Sequence, residues 1–215
     1  MKLWTKALPL AAFFIISTSF AADSIIGISP FVEPYAGYGL LGGMDATTNN
    51  VTTNSGNFTG FGMGARAGAT LLSGLIFGGL DVSYYPSYRY SKSATDINIA
   101  EIDSGTKNMK LGLVAGVNLP ILPLRAWVGF NFIDRLTDSY ILSGTTYDAV
   151  IKGNSFKLGV GYKVLPILSL NAEYIMASFG TIERTLTATG VTNTTTTTSL
   201  SHKLLFLSAS VPLSF

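Results

Sequence analysis

Leu205-Phe-Leu-Ser-Ala-Ser-Val-Pro-Leu-Ser-Phe215 closes the chain, and its reading decides the fold. Counted back from the terminus, every second residue is apolar: Phe215, Leu213, Val211, Ala209, Leu207 and Leu205. Ser214, Pro212, Ser210 and Ser208 stand between them. Alternation with a period of two puts the two sets on opposite faces of a β-strand, one oily and one more polar.

The other end of the chain says where such a strand is bound. Lys2 and Lys6 precede an almost unbroken apolar run, Ala7 to Ile16, and Ser19-Phe-Ala21 supplies small residues at the −3 and −1 positions. That is the layout of a secretory signal peptide cleaved after Ala21, so residues 1–21 are expected to be removed and 22–215 to form the working domain. The run is too short to cross a bilayer core as a helix, which takes ~20 residues. The chain has 14 Lys+Arg and 12 Asp+Glu, and losing Lys2 and Lys6 leaves 12 of each. A neutral mature chain offers no case for binding nucleic acid or another polyanion by net charge. There is no cysteine. Exported domains often carry disulfides, whereas a barrel closed in lipid satisfies its own backbone and needs none.

Between the ends, alternating segments predict strands near 31–41, 59–71, 75–85, 108–119, 124–133, 155–164, 168–178 and 202–215. Leu72-Ser-Gly-Leu75, Pro120-Ile-Leu-Pro123 and Leu165-Pro-Ile-Leu168 make three tight turns. The remaining connections, 42–58, 86–107, 134–154 and 179–201, are long and polar. Lys110-Leu-Gly-Leu leading to Leu119-Pro-Ile-Leu122 is echoed by Lys157-Leu-Gly-Val leading to Leu165-Pro-Ile-Leu168, as hairpin duplication would leave it. The expected fold is all-β, an eight-stranded antiparallel up-and-down transmembrane β-barrel with three short turns at one end and four long loops at the other. A soluble sandwich or lipocalin-like barrel would also alternate, but with its oily face inward. In Phe156-Lys-Leu-Gly-Val-Gly-Tyr-Lys-Val164 the face opposite the apolar one is Lys157, Gly159, Gly161 and Lys163, which suits a crowded narrow lumen.

Leader, loop asymmetry and terminal Phe together resemble the small bacterial outer-membrane barrels of the opacity-protein and outer-membrane-protein-A-like type. The resemblance covers nearly the whole mature chain and rests on these alternations more than on specific motifs. It implies an outer-membrane location in a Gram-negative bacterium with both termini periplasmic. It also implies contact with outer-membrane lipid and lipopolysaccharide, and Phe215 as part of the signal by which the C-terminal strand meets the barrel-assembly machinery. No room is expected after Phe215 for the peptidoglycan-binding domain of larger relatives.

Strand parity nominates the lumen residues. Glu33, Tyr35, Gly37 and Gly39 fall inward on the first strand, Gly62, Gly64, Arg66, Gly68 and Thr70 on the second, and Asp81 and Ser83 on the third. Lys110, Asn118, Arg125, Asn131, Lys157, Lys163, Asn171 and Glu173 follow. On the fifth strand the parity that buries Arg125 also turns Trp127 inward, unless a bulge or a snorkelling Arg125 reverses it. Counting up from the turns brings Glu33, Arg66 and Asp81 to one height and sets Lys157 opposite Glu173. Charges in a narrow lumen must be paired, so these five form the expected ion-pair cluster. It either orders the interior or, by exchanging partners, gates a thin polar path. Tyr84, Tyr85, Tyr88, Tyr90, Tyr140 and Tyr147 are expected as an interfacial girdle.

No catalytic, cofactor or metal site is legible. His202, the sole histidine, is expected at the outer rim beside Ser199 and Ser201. Adjacent strand residues point to opposite faces, so Ser201 is badly placed for it. The Thr-rich run 192–198 is a low-complexity loop in which no extracellular partner can be read. Three functions follow in order: a non-enzymatic surface or envelope protein acting through its loops, a narrow gated pore or transporter for ions or small apolar solutes, and an enzyme acting on outer-membrane lipid.

Overall fold

The computed structural model describes residues 27–48, 51–91, 106–119, 122–142, 145–186, 192–195 and 199–215. The expected leader, 1–21, lies outside them. The strand segments are β1 (Ser29–Thr48), β2 (Val51–Leu71), β3 (Ile76–Ser91), β4 (Thr106–Leu119), β5 (Leu124–Leu142), β6 (Thr145–Leu165), β7 (Leu168–Leu186), β8 (Thr192–Thr195), β9 (Ser199–Ser210) and β10 (Leu213–Ser214). Each of β1 to β7 pairs antiparallel with the next. Then β8 and β9 pair with β7, while β9 and β10 pair with β1. The last three segments are pieces of one wall strand that closes the sheet on itself. The result is the expected eight-stranded antiparallel up-and-down barrel.

Closure follows from the backbone's demand for partners. Pro212 has no N–H and interrupts the last strand between β9 and β10, yet Val211 N donates to Pro34 O and Phe215 N to Pro30 O, each at 3.0 Å. In the four-residue β2–β3 turn Leu72, Ser73 and Gly74 all adopt positive φ (53°, 56° and 86°), a handedness that matches the right-handed twist of the flanking strands.

The two faces of the wall are inverted relative to a soluble protein. Outward lie Tyr38, Leu40, Phe61, Met63, Leu80, Val82, Leu113, Val128, Phe130, Leu158, Val160 and Leu207, all exposed. Inward lie Glu33, Arg66, Asp81, Lys110, Arg125, Asp134, Lys157 and Glu173, all buried. So large an apolar surface is stable only in lipid. No described helix is long and apolar enough to cross a membrane; the crossing elements are strands.

The strands run well beyond their expected ends. Segments 42–58, 134–154 and 179–201, expected as loops, are largely paired strand: β1 and β2 stay in register to Thr48↔Val51, and β5 and β6 to Leu142↔Thr145. Antiparallel pairing needs backbone partners and not an oily face, and the β-branched Thr and Val of these stretches suit it. A search for alternating hydrophobicity stops where the lipid stops.

Candidate functional site in the barrel lumen

Parity carries each lumen residue to its place. On β1 and β2, Glu33 pairs with Arg66, and on β2 and β3, Arg66 pairs with Asp81. These are side-by-side positions on the inner face. Arg66 is wholly buried and spreads over three carboxylates: Nη1 reaches Glu33 Oε1 at 3.2 Å, Nε lies 3.7 Å from Asp81 Oδ2, and Nη2 donates to Glu173 Oε1 across the lumen. Its guanidinium also lies 4.6 Å from the Tyr35 ring centroid and 4.5 Å from that of Trp127, cation–π contacts that gain from desolvation.

The other charges interlock with it. Arg125 Nη1 donates to Glu33 Oε1 at 2.7 Å. Lys157 Nζ donates to Asp81 Oδ2 at 2.6 Å and stands 3.9 Å from Glu173 Oε2. Tyr35 Oη donates to Asp81 Oδ1 at 2.7 Å, and Trp127 Nε1 to Glu173 Oε1 at 2.9 Å. A second cluster sits further from the turns, where Lys110 Nζ and Asn108 Nδ2 both donate to Asp134. Among the described residues the lumen therefore buries four cations (Arg66, Lys110, Arg125, Lys157) and four anions (Glu33, Asp81, Asp134, Glu173). Balance of this kind is what makes burial tolerable, since an uncompensated ion costs several kcal/mol, roughly 3–5 when one partner is removed.

Inner-face glycines make the room. A Cβ on Gly159 would stand 2.0 Å from Trp127 Cε2, and one on Gly129 would stand 2.7 Å from Lys157 Cγ. Apolar layers flank the charges. Phe31, Phe77, Val114 and Trp127 pack together toward the turn end. Toward the far end Tyr35, Tyr85, Leu136, Ile175, Phe179, Leu204 and Phe206 form a larger cluster, with Phe206 edge-on to both tyrosine rings.

All five expected cluster residues, Glu33, Arg66, Asp81, Lys157 and Glu173, thus lie in one connected network, but with two differences in partnership. Lys157 pairs in register with Ile175, and Glu173 with Gly159. Lys157 accordingly bonds Asp81 on the opposite wall, and Glu173 bonds Arg66. Counting back from the Leu165↔Leu168 pair sets Lys157 beside Met176, the register shift between Lys163 and Leu165 moves it to Ile175, and Glu173 lies one diagonal step away rather than directly opposite. Arg125 and Trp127 both face inward, with no bulge between them to separate their parity. Lys163 is exposed at the turn end rather than inside.

Three further side chains sit in the lumen where the sequence reading did not place them. Asp134 lay in an expected loop. A bulge at Phe132 leaves Phe132 and Ile133 both outward and turns Asp134 in, and the adjacent Phe-Ile pair is its one trace in the sequence. Tyr85 is buried in the lumen and not in a girdle, because it alternates with exposed Tyr84. The side chains of Tyr88, Tyr90, Tyr140 and Tyr147 lie outside the described residues. His202 is buried inside the barrel, not at a solvated rim: β9 continues the alternation past it to Ser199, so it shares the inner face of Leu204 and Phe206. Phe215 ends the closing seam, bonded through its amide to Pro30.

No protein-family model matches the chain, and no curated protein matches its sequence. Solved structures do match it. The attachment invasion locus protein Ail of Yersinia pestis is 10% identical with a TM-score of 0.50, covering 85% of this chain and 98% of that one. Neisserial surface protein A is 16% identical with a TM-score of 0.44, covering 86% and 96%. The outer membrane protein OprG from Pseudomonas aeruginosa is 11% identical with a TM-score of 0.47, covering 86% and 96%. At such identities the likeness concerns the fold: this chain has the fold of the small outer-membrane eight-strand barrels.

Proposed function

We propose that this protein is a non-enzymatic outer-membrane barrel that serves as a sealed anchor, holding its far-end hairpins outside the cell. The observation that carries this reading is the filling of the lumen. Arg66, Tyr85, Phe77, Lys110, Lys157, Phe179, Phe206, Glu33 and Glu173 are each less than 2% exposed. The lining of a continuous water path would be wetted, and these side chains are not. A filled interior is also what eight strands geometrically allow.

In this reading the far-end segments 42–58, 86–107, 134–154 and 179–201 carry recognition, and their described residues extend the wall strands. The turn end and both termini face the periplasm, and the C-terminal strand ending in Phe215 meets the assembly machinery. The barrel wall contacts outer-membrane lipid and lipopolysaccharide. His202 supports no catalytic role, since its neighbour Ser201 points to the opposite face of the strand.

Because the chain has no cysteine, single thiols test the orientation. Gly144→Cys, in the β5–β6 connection, should react with a membrane-impermeant maleimide on intact cells, and Ser73→Cys, in the β2–β3 turn, should react only after lysis. The reverse result would overturn the reading.

A gated pore is the second reading, and one observation favours it. Lys157 Nζ stands between Asp81 Oδ2, which it bonds, and Glu173 Oε2, an acceptor with no hydrogen-bond partner among the described residues. A shift of Lys157 from one to the other is the kind of exchange that would open the network, and it would register as small discrete conductance steps.

A further inference from the structure

Outside the lumen, the far rim of the apolar belt gathers cations on one sector of the wall. The exposed outward set on β4 runs Val117, Leu113, Met109 and then Lys107. On β5 it runs Val128, Phe130, Phe132, Ile133 and then Arg135, and on β6 it runs Leu158, Phe156, Asn154 and then Lys152. Three neighbouring strands thus pass from lipid-facing side chains to a cation at the same edge.

The three cations are close together. Arg135 and Lys152 are directly opposed across β5 and β6, and Lys107, opposite Thr137, is one diagonal step from Arg135 across β4 and β5. Opposed Cβ atoms stand about 5 Å apart and diagonal neighbours about 7–8 Å. Like charges directly opposed destabilise a sheet unless something neutralises them. Glu183 Oε1 accepts a hydrogen bond from Lys152 Nζ at 2.7 Å. Lys107 and Arg135 form no ion pair among the described residues. Asp148 lies four residues beyond Lys152 on β6, roughly 13 Å along the strand. Among the described residues, one carboxylate against three cations leaves the sector positive.

We propose that Lys107, Arg135 and Lys152 form a phosphate-binding site on the outer wall, occupied by the headgroup of a membrane lipid bearing two phosphates. Its acyl chains would lie on Met109, Phe132, Ile133 and Phe156 directly beneath. Two arguments select a lipid. The cations sit at the edge of the apolar belt, which is the level of lipid headgroups. Arg135 also presents a planar fork suited to two phosphate oxygens at once, while the flanking lysines serve as point charges. The proposal rests on the outer-membrane reading for the presence of such a lipid, and it names the sector of the wall that the lipid takes.

The test uses protein refolded into zwitterionic detergent micelles and titrated with a bisphosphorylated lipid A, its dephosphorylated counterpart, or inorganic pyrophosphate. Retained ligand is measured by native mass spectrometry. The bisphosphorylated lipid should bind at least about tenfold more tightly than the dephosphorylated one, and the combined Lys107→Ala, Arg135→Ala, Lys152→Ala variant should lose that preference. Lys163→Ala, which removes an exposed cation at the opposite rim, should keep it. Heat-dependent electrophoretic mobility reports that each variant is folded. Equal binding of the two lipids would overturn the proposal, as would an unchanged preference in the triple variant or equally tight binding of pyrophosphate. Binding in micelles does not depend on which end of the barrel faces outward. A failure here is therefore separate from a failure of the whole-cell labelling.

Discussion

Arg66 shows how the lumen is held at the scale of a residue. Its guanidinium donates to Glu33 and Glu173, lies near Asp81, and stacks against Tyr35 and Trp127. Arg66→Met keeps the volume but leaves three carboxylates short of a cation. It should destabilise the barrel by about 3–5 kcal/mol, the cost of breaking a buried pair by removing one partner. Urea unfolding in lipid vesicles measures this. Arg66→Lys should fall between, because an ammonium supplies the charge but not a fork that spans several carboxylates. Wild-type stability in Arg66→Met would mean the network is not what orders the interior. Which residues enter the lumen could be read from the sequence, because parity is local and each of Glu33, Arg66, Asp81, Lys157 and Glu173 alternates with an apolar neighbour. Their partnerships could not. Arg66 to Glu173 joins β2 to β7 and Lys157 to Asp81 joins β6 to β3, contacts across the barrel that no count along one hairpin contains.

At the scale of an element, β5 departs furthest from simple alternation. Its bulge at Phe132 resets the parity so that Arg125, Trp127 and Asn131 below it and Asp134 above it all face inward. Replacing the inward carboxylate itself, Asp134→Leu, keeps the bulge and leaves Lys110 without its partner. We expect a loss of about 3–5 kcal/mol by the same broken-pair reasoning, seen as a sharp fall in the folded fraction on heat-shift electrophoresis. An Asp134→Leu variant that folds as well as the parent would show that the burial of Lys110 does not depend on the carboxylate this bulge turns inward. Hydrophobic alternation located the membrane-spanning half of each strand and missed the polar half, where Thr48 pairs with Val51 and Leu142 with Thr145. The same blindness placed His202 at the rim. β9 looks oily on both faces between Leu204 and Leu207, and Leu204 and Phe206 prove to be lumen residues.

At the scale of the whole molecule, the barrel is a stack of filled layers: an apolar cluster toward the turns, a charge-balanced network, and a larger aromatic and aliphatic cluster beyond it. Each layer excludes water for its own reason, the outer two by packing and the middle one by pairing every ion. The central claim is that this stack is closed. The direct test is single-channel recording of refolded protein in a planar bilayer, with Arg66→Ala alongside. The account predicts no discrete conductance steps in the parent and none in Arg66→Ala, because the flanking apolar layers remain. Reproducible small steps in the parent, altered by Arg66→Ala, would contradict it and establish the ion-pair network as a gate.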